Sequence, residues 1–465
     1  MDFEQVYTHT IEILYGKPRK PELDHHLLLN NDHPHELSIN DRLDLTHLEV
    51  YSIDPEGCED ADDAFSIYND QGSLWLAIHI ADPTEYINLQ SSLWKEMSQS
   101  LVTRYPSNRK PIHMIPHSIM EMSSLMENKQ GSIKNAISIE SEICQSTFRP
   151  IGNIQILFSK IKVSQNNTFS YQTAASLSQT HKCLQLGLKI SSALKEIRGK
   201  KTVGIKLNEL SNSTPVYSDR RVFLYQDSHL EVMMKQMIAE FAIFANSFIG
   251  EYLKINLHGI GIFRTCNSQD WLSTIYSDIS GNELLTEIIT NGIKAEYLSE
   301  VSSHDLVGMP EYCHFTSPIR RFSDCVCHYL LKYIYWSQYK NIMIPFSHQQ
   351  LSDYSNQCLQ ITRNMKKIQY RDIKFRLIQA MSQMLETKKN LQLSYYITSY
   401  KCPFLNLIIC QVDQHHIHLS YTLKRSHLST FFNPKERHFI TISKIYCLGK
   451  FDEGSIPELD SQFTN

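Results

Sequence analysis

The sequence lacks the features that mark membrane and secreted proteins. No apolar run approaches the roughly 18 residues that a membrane-spanning helix requires. The 11 cysteines include no Cys-x-x-Cys pair and no signal peptide precedes them, which favours a reducing compartment over a disulfide-bonded fold. Asp2 and Glu4 make the N-terminus too acidic for a mitochondrial transit peptide. We therefore expect a cytoplasmic protein without a membrane partner, with the nucleus or an organelle as the alternative location.

An excess of basic residues is also absent. Lys and Arg together number 45 and Asp and Glu 49, so the formal net charge is −4. Proteins that coat nucleic acid usually carry a broad basic surface, so nucleic-acid binding here would require local patches or an internal channel. The content of 42% hydrophobic and 20% charged residues is typical of a globular protein with a hydrophobic core.

The most informative absence is local, because no Lys or Arg occurs from Leu43 to Trp94. Crowded carboxylates without nearby cations must stay solvated, take up protons or bind a metal ion. Apolar strand patterns on both sides disfavour a solvated loop and favour a hard cation with oxygen ligands. An EF-hand is excluded, because the D-x-[DN]-x-[DN]-G spacing and the closing bidentate Glu are missing. Six carboxylates fall within ten residues of this stretch: Asp54, Glu56, Glu59, Asp60, Asp62 and Asp63.

A second informative stretch runs from Tyr312 to Asp324. Ser317 is a typical N-cap and would place the following arginine pair, Arg320 and Arg321, in the first turn of a helix. A cation there opposes the helix dipole, so the pair indicates a bound anion such as a phosphate. The alternative is that Asp324 neutralises the arginines on the helix surface, although one carboxylate can neutralise only one of them.

The periodicity of the remaining sequence predicts an α+β fold. From residue 391 onward, β-branched and aromatic segments separated by polar turns predict a small β-barrel or sheet. Alternating apolar residues and helical periodicity elsewhere predict strands at 46–53, 74–81 and 202–208 and helices at 229–254, 270–300 (in pieces), 317–338 and 348–388.

These two stretches resemble blocks of the ribonuclease II and ribonuclease R family, whose catalytic domain is called RNB. The family pattern I-D-x(5)-D-x-D-D-A is matched from Ile53 to Ala64. The pattern H-F-T-S-P-I-R-R-[YF]-x-D is matched from His314 to Asp324. The strand pattern L-x-x-H-I-A-D is matched at 76–82, and weaker matches follow in the family's order across about 41–375.

The resemblance implies three regions. Residues 41–375 would form an RNB-type catalytic domain, a mixed sheet surrounded by helices with a central RNA channel. Residues 1–40 would be a lead-in without a complete cold-shock barrel. Residues 376–465 would contain the end of a helix and a small all-β domain similar to a degenerate S1 or OB fold.

The resemblance also implies an activity: magnesium-dependent, 3′→5′ hydrolysis of single-stranded RNA that releases nucleoside 5′-monophosphates by a two-metal mechanism. Two Mg²⁺ ions would be bound, one of them arriving with the substrate, and Mn²⁺ would substitute. Arg320 would clamp the scissile phosphate, and Ser317 and Arg321 would bind substrate. Tyr105 and Tyr171 match positions whose rings stack on the last bases. The metal and water-positioning ligands would be Asp54, Asp60, Asp62 and Asp63.

Two departures from the family keep other functions open. The flanking RNA-binding modules are reduced, and this chain reads Ile368-Gln-Tyr-Arg371 where the family has a glutamate within an E-R-x-x-x pattern. The main alternative is a catalytically weak or inactive RNB-fold protein that binds RNA or acts as a scaffold. A DNA-directed two-metal nuclease is a third reading, because motifs alone do not identify the residues that sense the 2′-OH.

Overall fold

The computed structural model describes residues 3–19, 24, 36–201, 213–267, 294–401, 404–424, 436–443 and 445. Helices and sheets are both abundant in these residues, so the predicted α+β class is confirmed. The helices of the described residues are α1 (Phe3–Tyr15), α2 (Ser92–Ser100), α3 (His117–Ser123), α4 (Tyr171–Leu177), α5 (Lys182–Lys201), α6 (His229–Asn256), α7 (Phe322–Ser337) and α8 (His348–Thr387).

The strands up to the C-terminal sheet are β1 (Leu43–Asp44), β2 (Ser52–Asp54), β3 (Asp63–Asp70), β4 (Ser73–Ala81), β5 (Ile133–Ile143), β6 (Pro150–Lys162), β7 (Thr168–Ser170), β8 (Thr214–Ser218), β9 (Arg221–Tyr225), β10 (Phe263–Thr265) and β11 (Glu296–Leu298). Five of them form a mixed sheet. Its strand order is β1-β6-β5-β4-β3, in which β1 runs parallel to β6 and the other neighbours are antiparallel. The remaining strands of this part of the chain form three two-stranded sheets: β2 with β7, β8 with β9 and β10 with β11.

Helix α6 links the sheet to the second sequence block. Its buried stripe recurs every three to four residues, at Met234, Met237, Phe241, Ala245 and Ile249, as an amphipathic helix requires. By length and hydropathy alone α6 would pass as a membrane span, but this stripe packs in the main hydrophobic core like that of an interior helix.

Gly250 lets the end of α6 approach the second sequence block closely. A Cβ added at Gly250 would lie 3.0 Å from the backbone N of Tyr312, so any larger residue would push the two segments apart. Because Gly250 has no side chain, helix α6 packs closely against the segment that leads to the arginine pair.

The C-terminal region is a four-stranded antiparallel sheet packed on the end of α8. Leu377, Ile378 and Met381 of the helix join the apolar face of this sheet in a separate core. A sheet is therefore present in the stretch where β-branched segments predicted a small β-barrel or sheet, and α8 runs without a break across the predicted domain boundary at 375. Its strands, in the order β14-β13-β12-β15, are β12 (Leu391–Lys401), β13 (Phe404–Val412), β14 (His415–Lys424) and β15 (Arg437–Ile442).

Three predicted elements differ from the structure. The strand predicted at 46–53 is reduced to β2, because Leu45–Val50 cross from β1 to β2 as irregular backbone. The helix predicted from Ser317 begins at Phe322. Within the predicted helical pieces at 270–300, the described residues 296–298 form a strand, β11, because they pair with β10. The strand predicted at 202–208 and residues 270–293 lie outside the described residues.

Candidate active site

The acidic loop is held at both ends by strands. Asp54 is the last residue of β2, and Asp63 is the first residue of β3. Between them, the carbonyl of Asp62 accepts a hydrogen bond from the backbone N of Ala81, and the carbonyl of Ala61 accepts one from Leu125. Backbone pairing therefore fixes the loop, and its carboxylates do not depend on one another for their positions.

The loop forms one wall of a cavity of about 540 Å³. Nine residues singled out from the sequence line this cavity together: Asp54, Asp60, Asp62, Asp63, Tyr105, Tyr171, Ser317, Arg320 and Arg321. They come from four separate parts of the chain, so the fold brings the two sequence blocks and both tyrosines to one place. Their individual roles in RNA binding and catalysis remain predictions.

Asp62 connects the two sequence blocks directly. Its Oδ2 accepts a hydrogen bond from Nε of Arg320 at 3.0 Å, and its Oδ1 accepts one from the backbone N of Ile319 at 2.8 Å. Burial raises the pKa of Asp62 well above its usual value, although the guanidinium of Arg320 opposes the rise. The same pairing raises the pKa of Arg320 against the effect of its own burial. Asp62 and Arg320 thus form the central ion pair of the cavity.

The arginine segment is a turn rather than the first turn of a helix, which corrects the predicted N-cap role of Ser317. The backbone N of Ser317 donates to Oδ1 of Asp324 at 2.8 Å. This hydrogen bond joins the turn to the first turn of α7, in which Asp324 lies. Arg321 is extended (φ −135°, ψ 125°), because it forms a β-bridge with Val102. A residue in that bridge cannot belong to a helix.

The two arginines have different partners. Nη2 of Arg321 donates to Asp324 at 2.9 Å, as the alternative interpretation of the sequence proposed for one of the pair. Arg320 is directed to the acidic loop, and 44% of its side chain is exposed. Its Nη2 donates to Oγ of Ser317 at 2.9 Å. Arg320 is therefore the arginine that a phosphate entering the cavity would meet, while Arg321 is already neutralised.

Asp60 faces Tyr105 at the rim of the cavity. The phenol of Tyr105 donates to Oδ2 of Asp60 at 2.7 Å, and burial together with this carboxylate raises the pKa of Tyr105. Nδ1 of His113 lies 3.8 Å from the same oxygen. Burial lowers the pKa of His113, against the opposing effect of Asp60. Tyr105 is therefore neutral, and its side chain lines the cavity beside Asp60.

Among the ion pairs of the described residues, none involves Asp54 or Asp63, whereas Asp62 is paired with Arg320. Burial, then repulsion from Asp63 and Asp60, raises the pKa of Asp54 to about 8, and Oδ2 of Asp54 is buried without a hydrogen-bond partner. Burial raises the pKa of Asp63 to about 6, although Arg320 and Arg321 oppose the rise. Buried carboxylates that repel one another favour protons or a cation. A bound cation would therefore favour the ionised forms of Asp54 and Asp63.

The donor set fits a hard divalent cation, but it is not preassembled. Oxygen ligands from carboxylates suit Mg²⁺, which binds proteins through one or two carboxylates together with water and phosphate oxygens. The partnerless Oδ2 of Asp54 is available as a ligand. Across the described part of the chain, no three acidic, histidine or cysteine side chains already stand close enough to hold a metal ion. Both oxygens of Asp62 are occupied by protein donors.

Several lining residues were not identified from the sequence. Nζ of Lys235 lies 5.5 Å from the ring centroid of Tyr171 and 2.6 Å from the carboxylate of Asp227. Asn246 donates from Nδ2 to the phenol of Tyr312 at 3.1 Å. Both residues belong to α6, where a polar residue next to the buried stripe was the available signal. Cys58, Tyr312 and Thr316 also line the cavity and lie inside the two sequence blocks.

Comparison with known proteins agrees with this geometry. The family model described as the RNB domain matches residues 42–337, which is more than half of the chain. The protein called Exoribonuclease 2 of Mannheimia succiniciproducens is 27% identical over 351 residues, which cover 64% of this chain and 52% of that protein. The chain thus spans about half the length of the curated relatives it matches.

Solved structures share the fold at low sequence identity. The RNase R of Mycoplasma genitalium, solved in complex with ribose-methylated single-stranded RNA, superposes with a TM-score of 0.72 at 16% identity, covering 96% of this chain and 76% of that one. The yeast protein Ssd1, described as a pseudonuclease, superposes with a TM-score of 0.61 at 17% identity, covering 84% of this chain and 51% of that one. At these identities the superpositions establish the fold and leave the activity open.

Proposed function

The chain belongs to the RNB domain family, and from this premise we propose that it is a 3′→5′ exoribonuclease that hydrolyses single-stranded RNA to nucleoside 5′-monophosphates with Mg²⁺ as cofactor. One observation carries the proposal: the four aspartates of the acidic loop and the guanidinium of Arg320 line a single cavity. Carboxylates for a cation opposite a cation for a phosphate are the groups that phosphodiester hydrolysis requires.

Arg320 would change partner when RNA binds. In the free protein its Nε is bonded to Oδ2 of Asp62. A phosphate would compete for the half-exposed guanidinium, because a bidentate arginine–phosphate pair is a strong charge-assisted interaction. Losing that bond would free one oxygen of Asp62, while Oδ1 stays bonded to Ile319. The binding of phosphate would therefore complete a ligand set that the free protein lacks.

The cation site would be built mainly from Asp54, Asp62 and Asp63, with Asp60 held by Tyr105 at the edge. Two Mg²⁺ ions bound there would activate water and stabilise the leaving oxygen, and we expect Mn²⁺ to substitute. The raised pKa values of Asp54 and Asp63 mean that the carboxylates exchange protons for the cation as it binds. Activity should therefore rise as the pH is raised from about 6 to 8.

The two tyrosines would hold the 3′-terminal bases. Both rings line the cavity and Tyr105 is 36% exposed, so a base can reach its face. Stacking on an aromatic ring accepts any base, which suits an enzyme that degrades RNA without regard to sequence. The two rings and the aspartates line one cavity, so a stacked end would lie beside the reacting groups. A cytoplasmic location remains a prediction from composition.

The experiment is degradation of a 5′-labelled single-stranded RNA by purified protein with Mg²⁺. We expect a ladder of products that shortens from the 3′ end and the release of nucleoside 5′-monophosphates. Asp62→Asn should lower the rate by about 1,000-fold or more, because it removes a carboxylate that would hold the cation at the reacting phosphate. The matched control is Glu56→Gln, the same chemical change in the same loop at an exposed residue outside the cavity lining.

Equal rates for the wild type and Asp62→Asn would refute the proposal. An RNA with a single deoxynucleotide at successive positions would show where the protein requires a 2′-OH. Shortening of an all-DNA strand at the same rate as RNA would point to the DNA-directed alternative.

A second function, RNA binding without hydrolysis, is favoured by two observations. Both oxygens of Asp62 are occupied in the free protein, and the fold is shared with a protein described as a pseudonuclease. Such a protein would bind single-stranded RNA equally well with Mg²⁺ or with EDTA and would release no nucleotide. Those two measurements, made on the same preparation, separate the two functions.

A further inference from the structure

A buried carboxylate outside the cavity lining is hydrogen-bonded to the segment that carries Tyr105. Asp372, in the middle of α8, is 5% exposed and accepts hydrogen bonds from three residues. Its partners are the phenol of Tyr7 (2.8 Å to each carboxylate oxygen), the phenol of Tyr15 (3.0 Å) and Ser107, which donates from its backbone N (3.0 Å) and its Oγ (2.7 Å). All of these donors lie on α1 or on the Tyr105 segment.

The Tyr105 segment is a closed loop. Arg104 and Ile112 exchange two backbone hydrogen bonds, which define the base of a loop from 104 to 112. Ile112 packs in a small core with Tyr7, Ile11, Tyr15 and Phe375, so α1 and α8 contact the base of the loop from both sides. Arg104 also donates from Nη1 to the carbonyl of Tyr15 at 2.6 Å.

Arg376 adds a second tie, one helical turn after Asp372. Its Nε donates to Oγ of Ser107 at 2.8 Å, and its guanidinium stacks 3.7 Å from the ring centroid of Tyr7. Ser107 thus forms hydrogen bonds with three residues outside its own loop: Tyr7, Asp372 and Arg376. Ser107 is two residues from Tyr105, whose phenol bonds Asp60 in the acidic loop.

We propose that Asp372, through Ser107 and Tyr7, is a positioning residue that holds Tyr105 in place for the 3′ end of the RNA. The connection runs from α1 and α8 through the loop to Asp60. It rests on the proposed function for the identity of the ligand, but the effect on the loop stands without it. A carboxylate needed only for stability could bond to its own helix or be replaced by an apolar residue. Asp372 instead bonds only to α1 and this loop among its described contacts.

The mildest test removes one hydroxyl. Tyr7→Phe deletes the donor to Asp372 and the acceptor for the backbone N of Ser107 while keeping the ring that packs on Arg376. Amide hydrogen exchange of residues 104–112 in the full-length protein should become about tenfold faster. The matched control is Tyr68→Phe, which loses a phenol-to-carboxylate hydrogen bond of the same kind, to Glu140 in the central sheet, and should leave exchange in the loop unchanged.

The RNA test is a double-mutant cycle on affinity, made in the Asp62→Asn protein so that the RNA stays intact. Tyr7→Phe should weaken binding of a single-stranded RNA about fivefold, with a similar loss for Ser107→Ala. In a protein that also carries Tyr105→Ala, Tyr7→Phe should have no further effect, because the ring it positions is gone. A general loss of stability would instead give equal effects in both backgrounds.

The outcomes distinguish this inference from the proposed function. Unchanged exchange in 104–112, or additive losses of affinity, would overturn the positioning role. Faster exchange in the loop together with no measurable RNA binding by any variant would refute the proposed function and leave the tie between Asp372 and the loop supported.

Discussion

Two acidic clusters lie close together in the sequence and behave in opposite ways. The first is the cavity cluster of Asp54, Asp60, Asp62 and Asp63. The second, at the end of β4, joins Asp82 and Glu85 to two buried cations. Arg42 lies 2.5 Å from Asp82 and 2.6 Å from Glu85, and Lys332 lies 3.0 Å and 2.9 Å from the same two carboxylates.

The difference between the clusters is the ratio of cations to carboxylates. Burial alone would raise the pKa of Asp82, but Lys332 and Arg42 hold it well below its usual value. The pKa of Glu85 is also lowered, mainly because the positive charge of Lys332 outweighs the effect of burial. In the cavity, four aspartates face two arginines, of which Arg321 is also bonded to Asp324. The cluster of Asp82 and Glu85 is neutralised and stabilises the fold. The cavity cluster has excess negative charge and is suited to bind a cation.

The largest effect should come from removing a cation of the neutralised cluster. Lys332→Met would leave Asp82 and Glu85 buried with one cation between them, which should cost about 3–5 kcal/mol in the free energy of unfolding. Urea denaturation at pH 7 measures this. Adding Asp82→Asn to Lys332→Met should restore part of the loss.

An exposed lysine near the end of α7 provides the control for that measurement. Lys340→Met removes a lysine that donates to the carbonyl of Glu36 at the surface and should cost less than about 1 kcal/mol. A cost of the same small size for Lys332→Met would show that the two clusters do not differ as described.

A smaller effect of opposite sign should come from the cavity. The pKa of Asp54 in the folded protein, about 8, exceeds its usual 3.8, so the folded state binds the extra proton and loses stability as the pH rises from about 4 to 8. Asp54→Asn cannot lose that proton. In EDTA at pH 8, the variant should therefore be more stable than the wild type by roughly 1–3 kcal/mol.

The control for this change is Asp82→Asn, the same substitution in the neutralised cluster. The pKa of Asp82 is lowered, so its contribution is present above its usual pKa and is lost as the pH falls. Asp82→Asn should therefore destabilise the protein at pH 8. If both variants shift stability in the same direction, the distinction between the clusters fails.

The smallest effect should be stabilisation by the cation itself. Mg²⁺ at ten times its dissociation constant should raise the free energy of unfolding by about 1.4 kcal/mol, because it binds only the folded cavity. Thermal denaturation with and without EDTA measures the shift. Glu56→Gln should keep it and Asp54→Asn should lose most of it. A shift that survives in Asp54→Asn would place the cation elsewhere.

The sequence predicted the residues that meet in the cavity better than it predicted the backbone around them. Motif spacing sufficed for the aspartates, because β2 and β3 bracket a short loop. Ser317 was misplaced as a helix cap because the competing partner of its backbone N, Asp324, belongs to the same local sequence that suggested the helix. The extended backbone of Arg321 depends on its bridge to Val102, more than 200 residues away in sequence.

Contacts between distant segments account for the rest of what was missed. Asp372 bonds Tyr7 across a separation of 365 residues, and neither residue belongs to a motif. Lys235 and Asn246 could not be separated from ordinary helix surface, because one polar residue beside a buried stripe fits either a solvated face or a cavity wall. Which of the two arginines is left free also depends on geometry, since Asp324 is within helical reach of both.

The parallel pairing of β2 and β7 fixes the spacing between a carboxylate and an aromatic ring of the cavity. Asp54 is paired with Ser170, and Tyr171 follows immediately. Main-chain hydrogen bonds between the two strands, rather than flexible side chains, therefore set the spacing between the carboxylate of Asp54 and the ring of Tyr171. A slip of one residue would move the ring by about 3.3 Å and turn the carboxylate to the opposite face of the strand. Side-chain substitutions can remove the carboxylate or the ring, but the spacing between the two positions changes only if the two strands are realigned.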